Sequence, residues 1–331
     1  MKILKVLAVV TGLLLGVFFG LTVRAAEAAP LVPRRLDNIA VSKTVQNPWP
    51  IAVMIDNHTL ARPQSGMQKA SIVYETLAEG GIPRFMAMYV DTNIKRIGPV
   101  RSTRPYFVRY AAEWGAAMAH AGGSPDGLKM IRDTKLLSIL GIKGPYAKYF
   151  YRWNGSGVHN LYTDTTQIKR ALKQGKLNNK KPTYKPYVYK LDASLAKRGK
   201  DKSGANIDLG YGISYDVRYV YDRKSNVYKR FTGGRAQVDR LIGKQITVKN
   251  VLILVVAKEK VLDKKGRLDI KNVGTDRGVL LQNGKATPIT WVKKTPRART
   301  TFYGKDKKEI GLVTGNTWIT IVPRGHTYKL F

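Results

Sequence analysis

From residue 49 onward, short apolar runs alternate with polar breaks marked by glycine or proline. Ile51 to Asp56, Ser71 to Leu77 and Arg84 to Asp91 are rich in aliphatic, aromatic and β-branched residues over strand-like lengths, which predicts buried strands. Pro105 to Trp114 reads as a helix with proline in its first turn, and Gly115 to Ala121 as a further strand. Ser124 is placed to cap a helix that starts at Pro125, with Asp126 in its first turn; Thr163 or Asp164 can cap another through Ala171. The pattern over residues 49–175 is therefore that of an α/β domain. Beyond Leu209 it becomes mostly β. Ile213 to Asp222 alternates, Asn226 to Phe231 can pair with it, and Lys249 to Ala257 is a long apolar strand. Asn283-Gly284 and Gly315-Asn316 are turn signals beside the strand-like runs Gly278 to Gln282 and Thr317 to Val322. The expected fold is an α/β N-terminal domain followed by a mainly β C-terminal domain over 207–331.

The flanking segments follow a different pattern. Lys2 and Lys5 precede an uncharged, mostly apolar run from Val6 to Val23, after which Arg24 and the small residues Ala25-Ala26-Glu27-Ala28-Ala29 follow. This has the layout of a secretory signal cut after Ala28, or after Ala25. The alternative is an uncleaved anchor, for which the run is barely long enough to cross a ~30 Å hydrocarbon layer. Either way residues 1–28 place the body outside the cytoplasmic membrane. Residues 29–48 read as a polar spacer. Between 176 and 206 Lys, Arg, Asn and Pro crowd around Tyr184, Tyr187 and Tyr189, the composition of a basic linker.

Charge and cysteine content narrow the chemistry. Of 331 residues, 58 are Lys or Arg and 22 are Asp or Glu, leaving +36, which draws polyanions to the surface. The partners this implies are anionic cell-wall or membrane-surface components, or nucleic acid. With no cysteine, disulfides, thiol nucleophiles, lipidated cysteine and Cys-ligated zinc are all excluded. No Gly-x-Ser-x-Gly, Walker loop or Gly-x-Gly-x-x-Gly occurs.

The unusual residues cluster where strands of the first domain end. Asn57 and His58 follow a strand, and Arg101, Ser102 and Arg104 stand at the mouth of a helix. Gly122, Gly123 and Ser124 form a close-approach turn before a second helix, and His159-Asn160 opens the last group. Guanidinium forks, hydroxyls and free helix N–H groups suit a phosphate or carboxylate, so these residues are the candidate ligand site. The competing reading is that the arginines tie loops together through Glu75, Glu79 or Asp91. His120 and His159 are the candidate acid–base groups. Histidine spacing offers no metal motif; Asp56 and Glu75 are weak candidates to hold Mg²⁺ beside a phosphate.

Five segments in order carry a resemblance. Ile51 to His58, Ala61 to Gly66, Gly98 to Ser102, His120 to Ser124 and His159 to Thr163 resemble the bacterial YerB-like family, whose members are described as lipoproteins. Asp239 to Leu254 and Gly315 to Pro323 resemble that family's smaller C-terminal domain. The resemblance implies an extracytoplasmic two-domain protein of unassigned activity. This chain departs from it in lacking the cysteine a lipid anchor requires. Three functions stay open: binding of a phosphate-bearing envelope ligand, with or without catalysis; charge-tethering to wall polymers without catalysis; and extracellular nucleic-acid binding through the basic, tyrosine-rich segment.

Overall fold

The strands read from the apolar runs are present, and their neighbours are the new information. A computed structural model describes residues 30–331 except 91–92, 155–156, 178–179 and 201–205, so the expected signal or anchor over residues 1–28 lies outside the described residues. In the N-terminal half the main strands, leaving aside two-residue ones, are β1 (Ile51–Ile55), β2 (Ile72–Leu77), β3 (Pro83–Tyr89), β4 (Ala117–His120) and β5 (Ser138–Leu140). In the C-terminal half they are β6 (Ile207–Leu209), β7 (Val217–Asp222), β8 (Val227–Thr232), β9 (Asn250–Val256), β10 (Gly274–Gln282), β11 (Lys285–Lys293), β12 (Thr301–Tyr303) and β13 (Thr317–Pro323).

Ten of these make one mixed sheet in the order β12-β11-β10-β9-β13-β2-β3-β1-β4-β5. The joint is β13, which pairs parallel with β9 on one side and parallel with β2 on the other, Thr317 opposite Ile72 and Thr320 opposite Glu75. The two halves therefore share a backbone ladder; they are not two separately closed domains, and Leu31–Phe331 forms one compact unit. The described residues are mostly in sheet, with 16% of them helical.

The central strands are buried on both faces, which is why they read as continuous apolar runs. Val53, Val73, Phe85, Ile253 and Trp318 point to one core; Met54, Tyr74, Met86, Leu254 and Ile319 point to the other. The helices are α1 (Pro105–Glu113), α2 (Pro125–Asp133) and α3 (Thr165–Gln174). Side chains of α1 and α2 fill the second core; α3 and a smaller sheet built on β6, β7 and β8 cover the first. Ser124 caps α2, its Oγ accepting from the Gly127 amide at 3.1 Å, and of the two candidates for α3 it is Asp164 that caps, accepting from Gln167 at 2.8 Å.

Buried polar ties cross between the halves. Arg230 on β8 pairs with Glu75 on β2 at 2.7 Å, and Lys293 with Glu113 at 2.9 Å, every side chain fully buried. Asp239 accepts from the amides of Gly66 (2.9 Å) and Gln68 (2.7 Å). The segments read as a spacer and a basic linker both contribute buried residues. In the spacer, Leu36 is buried and Asp37 accepts from the Ser71 hydroxyl. In the basic segment, Tyr184 and Tyr187 are buried edge-on to Trp114, with ring centroids 5.5 and 5.1 Å away. Composition hid both facts, because a few buried aromatic or aliphatic residues anchor an otherwise polar stretch.

Candidate anion-binding cleft

Three loops meet at the C-terminal end of β1. The segment after Gly98 lies across that end, with the Asp56 amide donating to the Pro99 carbonyl (2.9 Å) and the Arg101 amide to the Met54 carbonyl (2.9 Å). The Val100 amide in turn donates to Leu161 (2.6 Å), which brings in the His159 loop. Asp56 is the hub. Its Oδ1 accepts from the His58 amide (2.9 Å), and its Oδ2 takes both His159 Nδ1 (2.7 Å) and Arg101 Nε (3.3 Å). Facing a carboxylate, His159 Nδ1 is the donor of this pair. The His58 ring stacks on that of His159 with centroids 4.6 Å apart, while its own Nδ1 accepts from the Leu60 amide at 3.2 Å.

Beside this hub opens a cleft of about 340 Å³. Five cationic side chains line it, Arg84, Arg101, Arg104, Lys265 and Arg267, against the two carboxylates Asp56 and Glu79. Glu79 clamps two of the arginines, one oxygen receiving Arg104 Nε and the other Arg84 Nη2 at 3.3 Å. Burial would push the Glu79 carboxyl up, but the hydrogen bond from Arg104 and the charges of Arg84 and Arg104 hold it below its usual range. Arg84 also donates to the Ser102 carbonyl at 3.0 Å, and burial followed by the like charge of Arg104 lowers its basicity. Two guanidinium groups held this close, with one carboxylate between them, leave unspent positive charge facing the opening. Arg267 is paired with Asp263 at 3.1 Å, so it contributes less.

Of the expected ligand residues, His58, Arg101, Ser102 and Arg104 line the cleft. Gly122, Gly123 and Ser124 do not; they brace it from behind. The Thr103 amide donates to Gly122 (2.9 Å), and Ser102 Oγ donates to the Ala121 carbonyl (3.0 Å). Asn57 is buried and ties its own loop, its Oδ1 accepting from Arg62 and Gln64, each at 3.1 Å. Asn160 accepts from Arg152 at 2.7 Å. His120 is not positioned for acid–base work in the cleft. It is fully buried at the end of β4, its ring nitrogens 2.8 Å from the Gly122 carbonyl and 2.8 Å from Ser138 Oγ. Glu75 is withdrawn into the core by Arg230, and Asp56 is occupied by His159 and Arg101, so the two do not form a Mg²⁺ pair. Among the described residues no three His, Asp or Glu side chains group as a metal site. The loop-tying alternative is realised in part through Glu79, and Arg84, Lys265 and Arg267 were absent from the sequence-based site.

The same two halves are found as family domains. Residues 37–178 match the N-terminal domain, and residues 207–319 the C-terminal domain, described as "Protein of unknown function (DUF3048)". The chain belongs to that family. It is 32% identical over 298 residues to "Putative lipoprotein YerB" of Bacillus subtilis (strain 168), covering 90% of this chain and 88% of that one. The crystal structure of the YerB protein from Bacillus subtilis matches at TM-score 0.78 and 31% identity, over 90% of this chain and 99% of that chain. The YerB-like resemblance read from the ordered motifs is thus correct. The two-part division is that of DUF3048 itself, while the ten-stranded sheet runs through both parts.

Proposed function

We propose that the cleft at the end of β1 binds a phosphate-bearing or similarly anionic ligand of the cell envelope, and that the protein works on the outer side of the membrane. The observation that carries this reading is the set of five cationic side chains around one cleft, with Arg84 and Arg104 held together by Glu79. The layout of residues 1–28 supports export, and the charge of +36 supports an anionic partner. With no cysteine to lipidate, this chain stays at the membrane only through its N-terminal apolar run or by charge. Nucleic-acid binding through residues 176–206 is disfavoured because Tyr184 and Tyr187 are buried and have no ring face to offer a base.

Thermal denaturation in moderate salt, titrated with pyrophosphate with and without Mg²⁺, tests this. A site filled to a hundred times its dissociation constant adds about 2.7 kcal/mol of stability. The shift is expected in the wild type and lost in Arg101→Gln and Arg104→Gln. An equal response in all three proteins would reduce the protein to a charge-tethered envelope component.

One observation favours a catalytic version. Asp56 holds His159 through Nδ1 at 2.7 Å, the pairing by which a carboxylate orients a histidine for acid–base work. Release of phosphate from pyrophosphate by the wild type but not by His159→Ala would establish it; binding without turnover leaves a binding protein.

A further inference from the structure

A second cavity is lined in part by the loop that follows β1. It measures about 440 Å³, with Arg62 and Gln64 from that loop on one wall and Thr232, Arg235 and Gln237 from the C-terminal half on the other. Arg62 is stretched along it. Nε donates to Asn57 Oδ1 (3.1 Å), Nη1 donates to the Ser214 carbonyl (2.7 Å), and the guanidinium rests 4.8 Å from the Tyr215 ring centroid. Its Nη2 is buried without a hydrogen-bond partner. Burial lowers the basicity of Arg62, only partly offset by Tyr215. Across the cavity Thr232 is 8% exposed, and its hydroxyl is also buried without a partner. Buried donors are rarely left unmade, and each one calls for an explanation. Here two of them, beside the exposed cation Arg235, belong to the lining of a single cavity.

We propose that this cavity is a second anion subsite, receiving one phosphate or carboxylate group through Arg62, Thr232 and Arg235, and that it reads the next anionic group of the ligand held in the first cleft. The inference rests on the reading of that cleft as an anion site. The two cavities draw on one continuous segment: His58 lines the first and its neighbour Thr59 the second. Asn57, between the hub Asp56 and His58, is the residue that Arg62 grips. Leu60, the residue after Thr59 in that segment, is 74% exposed. Inorganic phosphate or pyrophosphate fills one cavity only. A polymer with anionic groups spaced along it fills both, and its second contact is intramolecular, so affinity rises without any new kind of interaction.

Calorimetric titration of the full-length protein at moderate salt tests the inference. The probes are pyrophosphate, linear polyphosphate long enough to span both cavities, and poly-glutamate of similar length. Wild type is expected to bind polyphosphate at least ~10-fold more tightly than pyrophosphate, as linked contacts predict. Thr232→Val, isosteric and uncharged, and Arg62→Gln should each remove most of that gain while changing pyrophosphate affinity far less. A gain that survives both substitutions overturns the subsite. So does a gain removed equally by the remote pair Lys305→Gln and Lys307→Gln, which would mark it as diffuse charge. Poly-glutamate matching polyphosphate identifies a carboxylate ligand, and failing to match it a phosphate ligand. If pyrophosphate does not bind but polyphosphate binds through Arg62 and Thr232, the first-cleft reading fails and the second subsite stands alone.

Discussion

Replacing Arg230 by methionine should be among the most damaging single changes available to this fold. Arg230 and Glu75 are both fully buried, 2.7 Å apart, and the guanidinium lies 4.2 Å from the ring centroid of Trp318. Arg230 also donates to Gln237 Oε1 at 2.5 Å and to the Tyr219 hydroxyl. Burial works against its charge, but Glu75 and Tyr219 hold it above the usual arginine value. Without Arg230 the Glu75 carboxylate keeps one long contact, from Thr320 Oγ1 at 3.3 Å. An ion left buried and unpaired in this way destabilises by about 3–5 kcal/mol, whereas replacing both partners by apolar residues is close to neutral. Urea unfolding at pH 7.5 should therefore show Arg230→Met losing about 3–5 kcal/mol, and the double variant Arg230→Met, Glu75→Leu recovering at least half of it. A loss under about 1 kcal/mol for the single variant, or no recovery in the double, would refute the account of this pair as a mutually dependent buried charge.

Two other changes probe the supports of the cleft. Burial pushes the His120 imidazole below the usual histidine value, against the opposing hydrogen bond to Gly122. The unfolded chain takes up a proton near pH 6.5, which the folded chain refuses until lower pH, so unfolding gains protons on acidification and stability falls as pH drops below about 6.5. The slope is at most about 1.4 kcal/mol per pH unit; urea unfolding at several pH values should show it flattened in His120→Gln, and parallel curves would contradict the assignment. A methyl group at Gly123 would meet Thr103 Cγ2 at 2.9 Å and Leu128 Cδ2 at 3.1 Å. Gly123→Ala should lose about 1–3 kcal/mol in thermal unfolding and weaken pyrophosphate binding through displacement of the Arg101–Arg104 loop; an unchanged melt would mean that the α2 turn yields freely.

The strands were legible because their chemistry is local. β1, β2 and β9 are buried throughout since both faces of the sheet are covered, and apolar but for Glu75, Thr76 and Asn250, and Ser124 and Asp164 announce the helices they cap. The placement of β13 is not local. Thr320 meets Glu75 across 245 residues, and nothing within Thr317–Pro323 names β2 as its neighbour. The site shows the same split. Asp56-Asn57-His58, Arg101 to Arg104 and His159 were visible because polar groups crowd the ends of apolar strands. Arg84 sits inside a strand run, where its pairing with Glu79 and its place in the cleft are tertiary facts. Lys265 and Arg267 belong to a loop of the other half, and in a chain of +36 two more basic residues give no signal.

This distribution bears on how the protein would respond to an anion bound in the cleft. The cleft takes Arg84, Arg101 and Arg104 from the N-terminal family domain and Lys265 and Arg267 from the C-terminal one. An anion that touches both sets bridges the same two halves already joined by the β2–β13 ladder and the Glu75–Arg230 pair. Such a ligand stabilises the joint itself, because it binds only the form in which the two halves are docked. The division into two family domains describes the sequence, whereas the cleft takes its lining from both and so requires that the two be docked. If the cleft binds an anion as proposed, affinity and the integrity of that sheet are linked quantities, and a substitution that loosens the joint at Arg230 should weaken anion binding in a cleft it does not line.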